Sequence, residues 1–380
     1  MKISRLFVLA LFAACGGGSD NPDPDAAVTD APSGDAAPDP ERAVVVAGDF
    51  NPGSPGTLVM VDVATKAVLP LTAPAGAIAE DPIVRYEAGE LLVVNRNAGN
   101  NVTILDAKTL DLVEQLGTGA SSNPQDVVAL GNKLFVATLG NKGAVVLTRG
   151  SQSIQEIDLS ADDPDAKPNC SSVFKVANKL FVACGLLDDT MLYLPPRGPG
   201  KVYVLDAQTF EKSATLTLST KNPISLFEQI PENAPNAGDL LLPTVEFATG
   251  NGCVERITTS GTPTAAGCLV DNSVLGGYGS RVGVLPASSP MLYAAVPASD
   301  FSGSALRAYD LGTNMLKTEQ SPAAQTIGDL AVCPTSKTIV VADTKMGSSG
   351  VRLYQGTTEL TTAPLPIALR PQSTHGVICY

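Results

Sequence analysis

From Ala43 to the C-terminus the apolar residues fall in short runs separated by turns rich in Gly, Asn, Asp and Pro, and no stretch sustains a helical period. Two phrases recur. The first is an apolar run after a turn: 91–95, 134–137, 180–183, 240–243, 292–295 and 339–342. The second follows a Gly/Asn loop and ends on Asp: 58–62, 102–106, 202–206 and 306–310. A third run then leads outward, as at 112–116 and 214–218. Between one such unit and the next lies one more short strand, at 83–86, 127–130, 172–176, 224–227, 281–285, 330–333 and 376–380, which makes seven. Four strands per unit at this spacing predict an all-β fold, a β-propeller. The 338 residues from Ala43 to Tyr380 give seven blades of about 48 residues each, within the propeller range. The chain opens in the second strand of a blade and closes on an innermost strand that has no partner. The closing strand therefore completes the first blade, so that the ring leaves no edge open.

Each Asp that ends a second phrase opens a turn, such as 106–109 or 206–209, where its carboxylate can accept from backbone N–H groups two residues on. The phrases of blades two and four resemble the YVTN-type repeat of bacterial surface-layer-like propellers. That resemblance covers about 340 residues and implies the same fold. Blades three and five depart from it in lacking the Asp turn.

The segment before Ala43 is of another kind. Lys2 and Arg5 precede the apolar run 6–14, which is too short to span a bilayer and reads as an export signal. The ending Leu11-Phe12-Ala13-Ala14-Cys15 resembles the lipobox of bacterial lipoproteins, with Phe12 where Leu is usual. That resemblance implies a signal peptide over 1–14, lipid attachment at Cys15 and a membrane-anchored protein. By the same resemblance Gly16, in place of Asp, points to the outer membrane, at its periplasmic face or the cell surface. Residues 15–42 are rich in Asp, Pro and Ala, with seven acids and one base, and cannot bury enough surface to order themselves. They read as a disordered tether ahead of a propeller domain over 43–380.

Charge and composition narrow the function. A net charge of −13 removes phosphate-neutralising nucleic-acid binding. The absence of Trp removes WD-type and quinoprotein repeats, and one His removes multi-histidine metal sites. A Ser nucleophile would have only His375 to activate it, and no Gly-x-Ser-x-Gly elbow is present.

Six Cys follow Cys15, an even number in an exported chain, which predicts disulfides. Cys170 and Cys184 flank Ala177 on the first two strands of blade four. Cys253 and Cys268 flank Ser260-Gly261 and face each other if Thr259 and Thr262 close a two-residue hairpin. Cys333 and Cys379 occupy equivalent positions on successive innermost strands, so a bond between them requires a bulge or a register shift.

Three groups of residues remain for function. Asp126, Ser172, Ser225, Arg281, Asp329 and His375 head innermost strands and are the small-ligand candidates at the channel mouth. The long insertion 185–201, with Leu192 and Tyr193, and the loop carrying Arg96 form a partner-binding surface, unless the insertion folds back over blade four. Asp158, Asp162, Asp163 and Asp165 cluster without Ca²⁺-loop spacing, while Asp49, Asp188, Asp189, Asp300 and Asp343 belong to loops on one face. Nothing in the spacing demands a metal or another cofactor. Metal-dependent propeller lactonases do hold an ion with carboxylates at the channel mouth. Two functions follow: a non-enzymatic envelope scaffold for a protein or polymer partner, or a hydrolytic, lactonase-like propeller using Ca²⁺.

Overall fold

A computed structural model describes residues 39–286, 290–298, 303–317, 325–356, 358–372 and 374–380. Its contacts divide the chain into Met1–Asp39 and Pro40–Tyr380. The signal segment, Cys15 and the tether through 38 lie outside the described residues, as does Asp300. The second unit starts three residues before the expected boundary. Arg42 already belongs to a strand, and the Glu41 carboxylate accepts from Thr335 N at 2.6 Å in a turn of blade seven.

Pro40–Tyr380 contains seven four-stranded antiparallel sheets. In six of them the strands follow chain order from the axis outward, and the first blade takes its innermost strand, Val377–Cys379, from the C-terminus. Ala43 pairs with Cys379 and Val45 with Val377, while Arg42 and Tyr380 exchange backbone bonds of 2.8 and 2.9 Å. The ring is closed by its two ends, as the orphan strand requires.

The two sides of each sheet explain the hydrophobic pattern. Inner strands are covered by the neighbouring blades on both faces, so Leu91, Leu92, Val93 and Val94 are all buried with no alternation. Outermost strands have solvent on the far side, and Leu112 and Val113 are about half exposed while Leu116 is buried. The buried apolar residues form seven clusters, one at each blade junction. A Cβ on Gly283 would lie 2.9 Å from Leu330 Cδ1 of the next blade, so a larger residue there would have to push that leucine aside.

The Asp turns form as expected. Asp106 Oδ1 accepts from Lys108 N and Thr109 N at 2.8 and 2.9 Å, and Asp206 repeats this with Gln208 N and Thr209 N. One strand assignment shifts. In blade five the innermost strand is Glu228–Gln229, paired with Leu241 and Leu240, and 224–227 is irregular. Pro223, which lacks a donor and makes only an isolated bridge to Thr244, delays regular pairing there.

All three disulfides are present, at 170–184, 253–268 and 333–379. Cys170 and Cys184 are direct cross-strand partners. Cys253 and Cys268 are not: Cys253 opposes Asp271, and Cys268 opposes Glu255 across two register shifts, so the bond is diagonal and the hairpin is longer than two residues. The bond between Cys333 and Cys379 resolves the geometric objection, because the two positions are not equivalent. Cys333 bonds through its backbone to Thr338 and shares the blade-one-facing cluster with Ala331 and Val340. Cys379 opposes Ala43 on the face that looks back at blade seven.

Candidate functional site

Four of the channel candidates occupy one structural position. Asp126, Ser172, Arg281 and Asp329 each pair with an alanine on the second strand of their blade, respectively Ala137, Ala183, Ala295 and Ala342. In three of these blades a bulge immediately precedes the residue, at 124/126, 170/172 and 327/329. A bulge re-aims the side chain that follows it, and here it sends that side chain toward the next blade.

What those side chains do there is specific. The innermost strand of every blade has a free edge along the axis, with N–H groups that no neighbouring strand satisfies. Asp126 Oδ2 accepts from Val173 N at 2.8 Å and from Ser172 Oγ at 2.9 Å. Ser172 Oγ in turn accepts from Phe227 N at 3.0 Å, and Asp329 Oδ2 accepts from Val377 N at 2.8 Å. Lower in the channel Glu87 Oε2 accepts from Ala129 N at 2.8 Å. Asp126, Ser172 and Asp329 are fully buried and clasp blade three to four, four to five and seven to one.

Arg281 follows no bulge, and it is not spent in this way. It is buried, with Glu228 Oε2 at 3.6 Å and Asp329 Oδ1 at 3.8 Å. Its Nε and one terminal nitrogen make no hydrogen bond. Both ring nitrogens of the buried His375, Ser225 Oγ and Asp329 Oδ1 are equally without partners. Only His375's carbonyl is engaged, by Val84 N at 3.2 Å.

Two charged residues near the axis were not singled out in the sequence. Arg85 shares its inner strand, Pro82–Glu87, with Glu87, and its guanidinium grips Asp126 through two 2.7 Å bonds. Glu228 opens the displaced inner strand of blade five. Two charges two residues apart in one inner strand, Arg85 and Glu87, were the available signal for Arg85. Beside it lies a cavity of about 220 Å³ lined by Arg85, Tyr86, Glu87, Val128, Phe174 and Lys175. Tyr86 there stacks on Tyr380, with ring centroids 3.9 Å apart.

The charges act on one another. Burial pulls the Arg85 pKa down, but Asp126, Glu228 and Glu87 more than reverse this and hold it above its ordinary value. Burial raises the carboxyls of Asp329 and Glu228, with Arg281 opposing the shift in both. His375 is driven well below 6.5, first by burial and then by Arg96, Arg281 and Arg85, and is a neutral imidazole at pH 7. Arg96 thus belongs with the channel rather than with an outer surface: it is paired with Asp81 and its side chain is only 11% exposed.

The insertion of blade four does both things its sequence allows. Its base folds back, with Leu186 and Leu187 buried and Arg197 bonded to Asp165 and Asp188 at 2.7 Å each. Its tip stands clear: Met191 is 57%, Leu192 79% and Tyr193 88% exposed. Phe50, Phe247 and Met346, also exposed, belong to the corresponding loops of blades one, five and seven, which the strand order brings to the same end of the ring.

The loop carboxylates are mostly paired. Asp189 meets Lys167, Asp343 meets Arg352, and Asp49 accepts from Asn51 N in its own turn. Among the described residues, two clusters bring three metal-binding side chains together, Glu41 with Cys333 and Cys379, and Glu255 with Cys253 and Cys268. In both, the sulfurs are joined as disulfides and cannot act as thiolate ligands.

Fold and closure together define a seven-bladed β-propeller. No family model and no curated protein matches the chain. Solved structures do. A "putative 6-phosphogluconolactonase" from Bacteroides uniformis is 13% identical, with a TM-score of 0.61 over 90% of this chain and 99% of its own. A protein of the same description from Bacteroides fragilis is also 13% identical, with a TM-score of 0.61 over 91% and 99%. The β-propeller domain of Cps50 (Swd1) from Myceliophteria thermophila is 12% identical, with a TM-score of 0.58 over 79% and 90%. Likeness at these identities is a likeness of fold.

Proposed function

We propose that this propeller is a lipid-anchored scaffold of the cell envelope, tethered through Cys15 and probing for a protein or polymer partner with the ring end that carries the blade-four insertion. The observation that carries the reading is the contrast within that insertion. Arg197 and the buried pair Leu186 and Leu187 fix its base, while Leu192 and Tyr193 are held out in water. Tyr193 and Leu194 both have positive φ, 68° and 46°, a conformation that bulky residues adopt at a cost. A preorganised apolar tip pays little further ordering entropy on binding, and an exposed aromatic is an effective anchor.

Pull-down from solubilised envelopes with the wild type and with a Leu192→Ser/Tyr193→Ser double variant tests this. A partner retained by the first and lost by the second supports the reading. Identical partners remove the loop from it. The anchor has a separate test: Cys15→Ser should move the protein to the soluble fraction, and continued membrane association refutes lipidation.

A second reading is favoured by the partnerless polar atoms of Arg281, His375, Ser225 and Asp329. Of these, Arg281, His375 and Ser225 could donate to a small anionic ligand, in a hydrolytic or lactonase-like site near the axis. The printed description of the Bacteroides proteins is in keeping with it. In the Ca²⁺-dependent form the ion would take Asp329 Oδ1, which accepts no hydrogen bond and faces Arg281 Nε at 3.8 Å. Metal analysis of purified protein and thermal melts with Ca²⁺ or EDTA decide that form: no bound metal and no shift in melting would sink it.

A further inference from the structure

The outer half of blade five carries a group that neither reading uses. Cys253 and Glu255 are two residues apart on the third strand, and Cys268, bonded to Cys253, lies directly opposite Glu255 on the outermost strand. A carboxylate oxygen of Glu255 and the two sulfurs lie within 4.8 Å of one another. Glu255 is fully buried. Its Oε1 accepts three hydrogen bonds, from Ser219 Oγ at 2.6 Å and from Thr220 N and Oγ1 at 2.9 Å each. Its Oε2 accepts none.

The three disulfides differ in access. Both sulfurs of 170–184 belong to buried residues, and in 333–379 Cys333 is buried and Cys379 half-buried. Cys253 is buried, but Cys268 is exposed. The two sulfurs turn to the blade-four side of the sheet, where Cys268 Sγ lies 3.6 Å from Ser219 Oγ and Cys253 Sγ 4.0 Å from Thr220 Oγ1. Blade five thus places the exposed Cys268 in front of the buried Cys253, with the Glu255 carboxylate, one oxygen of which has no hydrogen-bond partner, close to both sulfurs.

We propose that Cys253–Cys268 is a thiol–disulfide exchange site that accepts electrons from a small-molecule dithiol reaching the exposed Cys268 from solvent. One thiolate of the dithiol attacks Cys268 Sγ. The Cys253–Cys268 bond breaks, a mixed disulfide forms, and the electron pair leaves on Cys253 Sγ. Cys253 takes up a proton, and its S–H is placed to donate to the Glu255 carboxylate, whose Oε2 had no donor in the disulfide form. The second thiol of the dithiol then displaces Cys268, which is protonated in turn. The dithiol leaves as a disulfide, and the protein keeps two thiols; both hydrogens come from the dithiol. Burying an acceptor without a donor is unfavourable, so the dithiol form gains what the disulfide form lacks.

The test is a redox titration of the full chain in reduced and oxidised dithiothreitol, quenched by alkylation and read by peptide mass spectrometry. Cys253 and Cys268 should become alkylated together at a less reducing poise than the other two pairs. Glu255→Gln should shift their equilibrium toward the disulfide by about tenfold, because it puts an amide donor where the acceptor stood. If 253–268 opens no earlier than the other pairs, or Glu255→Gln leaves its equilibrium unchanged, the proposal is wrong. Should Glu255→Gln fail to fold, the order of opening in the wild type decides alone.

Discussion

The single histidine of this chain allows a direct measurement of how the channel is charged. His375 is 3% exposed, neither ring nitrogen has a hydrogen-bond partner, and Arg96, Arg281 and Arg85 add their field to the desolvation. Its folded pKa is therefore far below 6.5, whereas the unfolded chain has an ordinary imidazole. As pH falls through 6.5 the unfolded state binds a proton that the folded state refuses. Stability is fully present above that value and declines on the acidic side. If the imidazole stays neutral at pH 5, the loss between pH 7.5 and pH 5 is about 2 kcal/mol. For a unit of this size that is about 3 °C in melting temperature. Asp329 and Glu228, whose pKa values are raised by burial, run the other way: they stabilise the fold at low pH, and that contribution fades as pH rises through their folded values. A wild-type curve alone would mix the two effects. His375→Gln isolates the imidazole, since Gln does not titrate, and the difference between the wild-type and variant curves should change by the full amount from pH 7.5 to 5. The lone Hε1 resonance should show no titration above pH 5. A flat difference, or a resonance that titrates near 6.5, would refute the reasoning.

Asp126→Asn should be among the most damaging substitutions in the ring. It leaves the Arg85 guanidinium facing a neutral group and weakens the clasp on Val173 and Ser172, for a loss of about 3–5 kcal/mol in denaturant unfolding; a loss below 1 kcal/mol would mean that the clasp is incidental. Removing the closing disulfide by Cys333→Ser with Cys379→Ser, a bond spanning 46 residues, should cost about 4 kcal/mol on the chain-entropy account. It should also speed hydrogen exchange along Ala43–Val45, and unchanged exchange there would show that backbone pairing closes the ring unaided. Arg197→Ala removes partly exposed ion pairs and should change stability by less than about 1 kcal/mol. Limited proteolysis within 188–196 should rise nonetheless, and an unchanged cleavage rate would mean that Arg197 does not hold the loop.

Blade number and the pairing of the two chain ends were legible in the sequence because strand period, turn chemistry and an orphan strand are local patterns repeated seven times. The exceptions are places where local pattern and tertiary pairing part company. Pro223 displaced the inner strand of blade five by four residues, and two register shifts turned a facing cysteine pair into a diagonal one. Asp126, Ser172 and Asp329 were found by position, yet their use as clasps depends on bulges that rotate side chains toward a neighbouring blade. Arg85 and Glu228 acquire their meaning only when inner strands far apart in the chain meet around one axis. The sequence by itself determined the repeat, the ring and its closure, since each is written in the alternation of apolar strands and polar turns. Only the tertiary structure decided which buried polar atoms are satisfied and which are left without partners. Satisfaction depends on distances of a few tenths of an ångström between side chains from different blades, and no local pattern encodes these.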